Sequence, residues 1–338
     1  MGKILVTGGA GYIGSHTVWA LHDAGYRVVV IDDLSTGRAD CLPQEVPLIR
    51  ANIGETATVA KVLQSHDIEA ILHFAGSIIV PESVEKPLLY YRNNTLNSHA
   101  LLETALKHKV KAFIFSSTAA VYGVPRSVPV KEDAPLAPIS PYGHSKFMVE
   151  QMLADAARVT PLRYASLRYF NVAGADAHGR TGQCSPIATH LIKLAAQVAT
   201  GTRARLAIFG DDYPTKDGTC IRDYIHVTDL AQAHVAALDY LRDGGTSFAA
   251  NCAYGKGYSV LDIIHATECV TGCRLPTFRA PRRPGDPPEL VADASYLQTL
   301  LQWRPAHDSL HTIVKSAIQW EKHIQQTAPS YGRTGQAA

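Results

Sequence analysis

Short apolar, β-branched runs alternate with amphipathic segments through the first half of the chain, at the spacing of strands and helices. The runs predict strands at residues 3–7, 27–31, 47–50, 70–73, 112–116 and 165–168. Helical periodicity predicts helices at residues 12–24, 55–65, 81–85, 88–109 and 140–158. Strands that alternate with crossover helices form a parallel sheet covered on both faces. The predicted fold class is therefore α/β, with a doubly wound parallel sheet.

The second half has fewer clear repeats of this pattern and more loop-forming residues. Its predicted elements are a loop at residues 174–185, a strand at 205–209 and helices at 186–200, 228–241, 260–271 and 308–325, with a proline-rich stretch at 281–288. We expect a first domain at residues 1–170, a smaller C-terminal α/β lobe at 171–325 with some segments returning to the sheet, and a flexible tail at 326–338.

Composition narrows the class of protein. Hydrophobic residues make up 46% of the 338 residues and charged residues 18%, which are ordinary globular values. The net charge of +2 favours neither a nucleic-acid surface nor a membrane surface. Six cysteines without a C-x-x-C pair predict neither a zinc site nor a disulfide scaffold, and we expect no bound metal. No leader-like or membrane-spanning apolar segment stands out, so we expect a cytoplasmic protein with reduced thiols.

A glycine-rich turn stands between the first predicted strand and the first predicted helix. Its spacing is Gly8-x-x-Gly11-x-x-Gly14, and Asp32 ends the second strand. Such glycines allow a tight turn and a close approach to a pyrophosphate at the helix N-terminus, and the acid can accept bonds from a ribose. Glycine-rich turns alone often bind nothing, but the whole order of elements predicts a Rossmann-type dinucleotide site. An acid at this position favours NAD over NADP.

A tyrosine and a lysine lie four residues apart at the start of the fifth predicted helix, at residues 140–158. Tyr142 and Lys146 therefore share one helix face, and Thr118 follows a predicted strand. A nearby ammonium and a positively charged nicotinamide ring would favour the phenolate of Tyr142, making it a general base. The hydroxyl of Thr118 could share a substrate hydroxyl with Tyr142. Such a pair also arises by chance, so its interpretation depends on the dinucleotide motif.

These motifs make the chain resemble the extended short-chain dehydrogenase/reductase family and, within it, the UDP-glucose 4-epimerases. The resemblance extends over most of the chain. It rests on VTGGAGYIGSH at residues 6–16, HFAG at 73–76, ESVEKPLLYYRNN at 82–94, FIFSSTAAVYG at 113–123, SPYGHSKFMVEQ at 140–151, LRYFNVAGA at 167–175, IFGDDYPTKDGTCIRDYIHVTDLAQAH at 208–234 and APRRPGDPPELVADAS at 280–295.

The resemblance implies an NAD-dependent isomerase that interconverts UDP-galactose and UDP-glucose through a 4-keto sugar. It implies Tyr142, Lys146 and Thr118 as catalytic residues. The implied cofactor residues are Gly8, Gly11, Tyr12, Ile13, Gly14, Asp32, Asp33, Leu34, Ser35, Thr36, Gly37, Asn52, Ile53, Phe74, Ala75, Gly76, Asn93, Lys146, Tyr169 and Phe170. The implied UDP-hexose residues of the C-terminal substrate lobe, besides Thr118 and Tyr142, are Asn171, His190, Ala207, Ile208, Phe209, Arg222, Arg283 and Asp286.

The chain departs from the family pattern at four positions. Thr118 replaces a common Ser and keeps its hydroxyl, and Asn52 replaces an Asp that often contacts adenine. Ile78 stands where some relatives have a cofactor-contacting Lys, and His190 replaces a substrate-binding Asn. Ala119 and Ala120 follow Thr118, so the acid and base of the sugar-nucleotide dehydratases are missing.

Two alternatives remain open at this point. The chain could epimerise another nucleotide sugar, such as a UDP-N-acetylhexosamine, UDP-arabinose or a UDP-uronate; in the family the position of Leu290 governs room for an N-acetyl group, and Leu favours plain hexoses. A catalytically silent NAD-binding protein on the same fold is the second alternative. Family members are commonly homodimers, and Leu96, Leu102, Met148 and Leu153 are candidate apolar interface or core residues.

Overall fold

The computed structural model describes residues 2–185, 189–283 and 286–327. The strands are β1 (Lys3–Thr7), β2 (Val28–Asp32), β3 (Leu48–Arg50), β4 (Ile68–His73), β5 (Ala112–Thr118), β6 (Arg163–Tyr169), β7 (Asn171–Ala173), β8 (Leu206–Phe209), β9 (Ile221–His226), β10 (Phe248–Cys252), β11 (Gly257–Ser259), β12 (Thr277–Ala280) and β13 (Glu289–Leu290). The α-helices are α1 (Tyr12–Asp23), α2 (Thr56–His66), α3 (Val80–Glu85), α4 (Pro87–Tyr90), α5 (Asn97–Lys107), α6 (Pro141–Val159), α7 (Leu191–Ala199), α8 (Val227–Arg242), α9 (Val260–Thr271), α10 (Ser295–Leu301) and α11 (Leu310–Thr327).

A seven-stranded sheet in the order β10-β6-β5-β4-β1-β2-β3 forms the centre of the molecule. Its neighbouring strands all pair in parallel. Side chains along one strand alternate between two apolar clusters: Ile4 and Val6 pack on one face with α1 and α8, whereas Leu5 packs on the other with α2, α5 and α6. Both faces are thus covered, and the predicted doubly wound α/β fold is confirmed.

The C-terminal elements form two small sheets beside the large one. Strand β9 pairs with β11, β13 and β7, and β8 pairs in parallel with β12. Helices α7, α9 and α11 pack against one another near these sheets, whereas α8 packs on α1. Strand β10 also comes from this half and adds to the large sheet beside β6. In the described part of the chain, no helix has the length and apolar character needed to cross a bilayer.

Several predicted boundaries differ from the observed ones. The single helix predicted at residues 88–109 is divided into α4, a π-helical turn at Tyr91–Leu96 and α5, because the chain inserts an extra residue into the helical repeat there. Short strands such as β7 and β13 were not predicted, since two or three residues carry no measurable periodicity. Residues 186–188 of the predicted helix 186–200, residues 284–285 of the proline-rich stretch and residues 328–338 of the predicted tail lie outside the described residues.

Candidate active site

Most of the predicted cofactor residues follow the carboxyl ends of neighbouring strands. Residues 8–14 follow β1, residues 32–37 end and follow β2, and residues 74–76 follow β4. Thr118 ends β5, and Tyr169 ends β6. Because these strands are parallel neighbours, the residues meet along one edge of the sheet, which is where open α/β sheets bind ligands.

The glycine turn after β1 is packed too closely for side chains at two positions. Gly8 has a φ of +67°, and a Cβ atom on it would lie 2.5 Å from the backbone nitrogen of Ala75. A Cβ atom on Gly14 would lie 2.2 Å from the carbonyl oxygen of Gly8. Among the described residues, no side chain caps the N-terminus of α1, where Gly11 is the N-cap. The helix N-terminus and the close turn fit the pyrophosphate of a dinucleotide.

Asp32 fixes this turn and is placed to meet a ribose. The residue is 7% exposed, and its carboxylate accepts hydrogen bonds from the backbone N–H of Ala10 at 2.9 Å and of Leu34 at 2.8 Å. Burial raises the pKa of Asp32, and the two hydrogen bonds oppose this effect only in part. A carboxylate has about four acceptor sites, so ribose hydroxyls can still donate to it.

Asn52 belongs to a polar network beside Asp32. Its amide nitrogen donates to Asp33 at 3.2 Å, and its amide oxygen accepts from the side chain of Asn97 at 3.0 Å. Asp33 also accepts from the backbone N–H of Ser35 at 2.9 Å. Burial acts to raise the pKa of Asp33, but the hydrogen bonds from Ser35 and Asn52 outweigh it and leave the pKa lowered. The neighbouring Ile53 is buried in the apolar cluster under this network.

The three predicted catalytic residues come together at the carboxyl end of β5. Tyr142 and Lys146 lie on the first turns of α6, and the side chain of Thr118 hydrogen-bonds that of Tyr142. The ammonium nitrogen of Lys146 donates to the carbonyl oxygen of Ser116 at 3.0 Å and lies 4.9 Å from the ring centroid of Phe115. The strand and the helix N-terminus therefore hold the hydroxyl, phenol and ammonium in one small region.

Burial shifts the ionisation of this group. It raises the pKa of Tyr142, although the hydrogen bond from Thr118 acts in the opposite direction. It also lowers the pKa of Lys146 to about 8. Each side chain is thus shifted towards its neutral form. The prediction that the lysine charge lowers the pKa of Tyr142 is therefore wrong for the protein alone, because burial is the larger effect and the opposing effect comes from Thr118. The protein alone therefore favours the neutral phenol of Tyr142.

The π-helical turn at Tyr91–Leu96 places a buried amide behind this region. Asn94 is 2% exposed, and its side chain accepts from the backbone N–H of Ser77 at 2.7 Å. It donates to the carbonyl oxygen of Ser77 and to the hydroxyl of Ser145, each at 3.0 Å. A Cβ atom on Gly76 would lie 2.9 Å from the Asn94 amide oxygen. Asn94 therefore joins the loop after β4 to α6.

Asn93 in this turn is among the predicted cofactor residues, whereas Asn94 is not. The side chain of Asn93 donates to the hydroxyl of Ser77 at 3.0 Å, so both neighbours bind the same residue. The doubled asparagine in the motif at residues 82–94 was an available signal, but a regular helix would have placed only one of the two on this face.

A buried ion pair supports β5 from behind. Arg168 on β6 donates to Glu150 on α6 at 2.7 Å, and both side chains are at most 6% exposed. Ser117 also hydrogen-bonds Glu150, and Arg168 donates to the hydroxyl of Tyr122 at 3.0 Å. This pair is not among the predicted residues either, because its members lie on different elements and no local pattern connects them. It fixes the strand that carries Thr118 against the helix that carries Tyr142.

The predicted sugar-nucleotide residues of the C-terminal lobe contact one another in pairs. Arg222 on β9 donates to Asp286 at 3.1 Å. The guanidinium of Arg283 lies 4.0 Å from the ring centroid of Phe209, at the end of β8. These contacts bring two guanidinium groups, a carboxylate and an aromatic ring to one end of the lobe.

Other predicted substrate residues lie at the junction of the lobe with the sheet. His190 is the N-cap residue of α7, and its ring nitrogen Nδ1 lies 2.8 Å from the amide nitrogen of Gln183. Asn171 on β7 hydrogen-bonds Tyr224 on β9. Leu290 and Phe170 both pack against a third apolar cluster, which includes Val121.

The remaining predicted residues pack around the site or support it. Tyr12 donates to the carbonyl oxygen of Gly174 at 2.7 Å, which joins α1 to the loop after β7. Tyr169 hydrogen-bonds the hydroxyl of Ser116. Ala207 and Ile208 lie on β8 before Phe209, in register with β12. Within the described residues, no group of His, Cys, Asp or Glu side chains is arranged to hold a metal ion.

Fold and site together define a dinucleotide-dependent enzyme of the short-chain dehydrogenase/reductase type, since a Rossmann-type sheet carries both the glycine turn and the Tyr–Lys–Thr group. Residues 4–253 match the model of a family described as the NAD dependent epimerase/dehydratase family. The chain belongs to this family, and the resemblance inferred from its motifs is confirmed.

Individual relatives are similar over nearly the whole chain. A UDP-glucose 4-epimerase of Azospirillum brasilense is 56% identical over 336 residues, which cover 99% of this chain and 97% of the relative. The crystal structure of UDP-glucose 4-epimerase from Brucella ovis in complex with NAD has a TM-score of 0.92 at 42% identity and covers 94% of this chain and 98% of that chain. The structure of UDP-glucose-4-epimerase from Stenotrophomonas maltophila with bound NAD and formylated UDP-arabinopyranose has a TM-score of 0.94 at 41% identity. The match covers 97% of this chain and 100% of that chain.

Proposed function

We propose that the protein is an NAD-dependent isomerase that inverts C4 of UDP-galactose and UDP-glucose. The observation that carries the proposal is the group formed by Tyr142, Thr118 and Lys146 at the edge of the sheet that also holds the glycine turn. The similarity to UDP-glucose 4-epimerases over the full chain supports the same reaction.

NAD is the cofactor, and the residues around the glycine turn fit it. The N-terminus of α1 would hold the pyrophosphate, Asp32 would accept from the adenosine ribose, and Lys146 would donate to the nicotinamide ribose. When bound, oxidised NAD supplies the reversible hydride acceptor and, through its positively charged ring, a charge that favours the Tyr142 phenolate.

The chain's own residues would move the proton and hold the sugar. Tyr142 removes the proton of the 4-hydroxyl and returns it, while Thr118 hydrogen-bonds both the phenol and the sugar oxygen. Burial raises the pKa of Tyr142 in the protein alone. The positive charge of bound NAD, with the ammonium of Lys146, would favour the phenolate. A 4-keto sugar turns within the site before its other face is reduced, so the reaction is redox-neutral overall.

The C-terminal lobe would bind the nucleotide. We propose residues 1–170 as the NAD-binding domain and residues 171–325 as the UDP-sugar lobe. Arg222 and Arg283 suit a pyrophosphate, because guanidinium groups form paired hydrogen bonds with phosphate oxygens. Phe209 would stack on uracil, and Asp286 holds Arg222 in place.

A cytoplasmic homodimer is the assembly we propose. Leu96 is 63% exposed and Met148 is 42% exposed, and they lie where the π-helical turn meets α6. Leu102 and Leu153 are buried in the apolar core and are not available to a partner. Replacing Leu96 by Lys should yield monomers in analytical ultracentrifugation, and a dimer of unchanged stability would exclude this face.

The purified protein should interconvert UDP-galactose and UDP-glucose without added cofactor. The assay separates the two sugars by chromatography and follows NADH by absorbance. Conversion that requires stoichiometric NAD and accumulates NADH would instead indicate a dehydrogenase. A panel that includes UDP-N-acetylglucosamine tests whether Leu290 restricts the site to plain hexoses.

A further inference from the structure

Two cysteines that are 143 residues apart in sequence face each other beside the cofactor domain. The sulfur atoms of Cys41 and Cys184 are 3.9 Å apart. Cys41 ends a short 3-10 turn at Ala39–Cys41, and Cys184 lies in the loop between β7 and α7. The turn belongs to the N-terminal half of the chain and the loop to the C-terminal half.

The segments that carry both cysteines are fixed by hydrogen bonds to their surroundings. The carbonyl oxygen of Cys41 accepts from the indole of Trp19 at 3.0 Å. In the loop, the hydroxyl of Thr181 lies 2.7 Å from that of Ser15 on α1, and Lys193 donates to the carbonyl oxygen of Gln183 at 2.7 Å. The closeness of the two sulfur atoms thus follows from contacts on both sides of the pair.

The two thiols differ in exposure and in charge environment. Cys41 is 4% exposed, whereas Cys184 is half-buried and within reach of small molecules. The hydrogen bond from Cys41 lowers the pKa of Cys184, and the charges of Arg38 and Lys193 add to this effect against the opposing effect of burial. The same hydrogen bond, together with burial, raises the pKa of Cys41. An accessible thiol of low pKa beside a second thiol is the arrangement found in redox-sensitive pairs.

We propose that Cys41 and Cys184 are a site of reversible oxidation that forms a disulfide between the two halves of the chain. The Cys184 thiolate attacks a sulfur of a low-molecular-weight disulfide, forms a mixed disulfide and releases one thiol. The Cys41 sulfur, after losing its proton to solvent, then attacks the Cys184 sulfur and releases the second thiol. The protein loses two hydrogen atoms, and the oxidant gains them.

Closing the bond requires a small movement. A disulfide has a sulfur–sulfur distance of about 2 Å, so the two sulfur atoms must approach by about 2 Å. Because the bond would link residues far apart in sequence, it would restrict the unfolded chain and raise the melting temperature by about 5 °C.

The experiment compares reduced and oxidised holoenzyme. The exposed Cys269 and Cys273 are first replaced by Ser, so that surface thiols cannot form bonds between molecules. This protein is incubated with excess oxidised glutathione or with dithiothreitol, then analysed by intact mass, by peptide mapping without reduction and by thermal unfolding. The matched variant carries Cys184→Ser in addition.

We expect a mass lower by two hydrogen atoms, a peptide that joins Cys41 to Cys184 and a higher Tm, all reversed by dithiothreitol and absent in the Cys184→Ser variant. A stable glutathione adduct on Cys184 with Cys41 still reduced would overturn the proposal, as would a linked peptide that contains another cysteine. Because no readout involves turnover, the test stands or fails independently of the proposed reaction.

Discussion

At the edge of the large sheet, the predicted functional side chains are fixed by buried neighbours, whereas in the C-terminal lobe the predicted side chains pair with one another nearer the surface. Asp32 holds two backbone N–H groups, and Lys146 donates to the carbonyl oxygen of Ser116. By contrast, Arg283 is exposed and covers one face of the Phe209 ring. The side chains of the first region are thus held by the protein itself, whereas those of the second are held by one another.

This difference suits the two tasks that we propose. Proton transfer at C4 needs fixed geometry, because a small misplacement of the reacting groups raises the barrier steeply. Binding a nucleotide needs charge and an aromatic face, and both can be supplied by side chains that rearrange. For uracil to stack on the ring face that Arg283 covers, this guanidinium must move away, and it is then free to meet a phosphate.

The largest expected effect comes from removing the phenol hydroxyl. Tyr142→Phe should lower kcat by about 10³-fold, because the general base is lost while the ring and its packing remain. Bound NAD, measured after denaturing the protein, should be unchanged, since Tyr142 is not part of the glycine turn. Turnover close to that of the wild type would contradict the role of Tyr142 and the view that the sheet edge carries the chemistry.

Alanine substitutions at two glycines of the turn after β1 should have different effects on stability and on NAD binding. Gly14→Ala places a Cβ atom 2.2 Å from the Gly8 carbonyl oxygen, and we expect it to lower the free energy of unfolding by about 2 kcal/mol and to abolish NAD retention. Gly11→Ala meets the same oxygen at 3.2 Å with an ordinary extended backbone, so it should keep its stability and lose only NAD affinity. Urea unfolding and NAD content measure the two effects.

Equal stability of the Gly14→Ala and Gly11→Ala variants would contradict this expectation. It would mean that the turn after β1 can relax, and that its close packing is not the source of the preorganised edge. A Gly11→Ala protein that retains full NAD would show that the backbone near α1 does not approach the pyrophosphate closely.

The sequence was informative where local pattern determines position. The glycine spacing, the acid after β2 and the Tyr142–Lys146 spacing each lie within one strand–helix unit, and the structure places all of them at one edge. Asn94 and the Arg168–Glu150 pair could not be predicted in this way. The position of Asn94 depends on an inserted residue in a helix, and the ion pair depends on which strands become neighbours.

Local sequence pattern predicts even less of the C-terminal lobe. Its short strands gave little periodicity, and the contacts of Arg222 with Asp286 and of Arg283 with Phe209 join segments of separate strands and loops. These residues were identified from the family resemblance, since a lone Arg or Phe has no local signature of a ligand site. The Cys41–Cys184 contact is a further case, because cysteine spacing alone does not reveal spatial pairs.

Arg283→Ala tests whether the surface pairs bind the nucleotide. We expect KM for UDP-galactose to rise about 10- to 100-fold with little change in kcat, because a hydrogen bond to a charged phosphate is lost without disturbing the catalytic group. Arg279→Ala is the matched control on β12: its side chain is 76% exposed and pairs with Asp211. Steady-state kinetics measure KM and kcat of both variants. Equal changes in KM would mean that the loss of surface charge, and not a specific contact of Arg283, causes the effect.

The smallest expected effect concerns a buried histidine at the ordered edge. His73 lies between the hydroxyls of Thr7 at 2.7 Å and Ser98 at 2.8 Å, and burial, with a smaller effect from the charge of Lys146, lowers its pKa to about 3. An unfolded histidine has a pKa near 6.5, so between these values the unfolded chain binds more protons. Stability that is fully present above about pH 6.5 is therefore lost as the pH falls, by up to about 1.4 kcal/mol per pH unit for this group.

Urea unfolding between pH 7 and pH 5 measures this effect. The free energy of unfolding of His73→Gln should fall less steeply with pH than that of the wild type, by a difference that approaches one bound proton, and the exposed His108→Gln is the control. An unchanged slope in His73→Gln would mean that the hydrogen bonds at the sheet edge do not depend on a neutral His73, and that this edge is less rigidly organised than the contacts of Asp32 and Lys146 indicate.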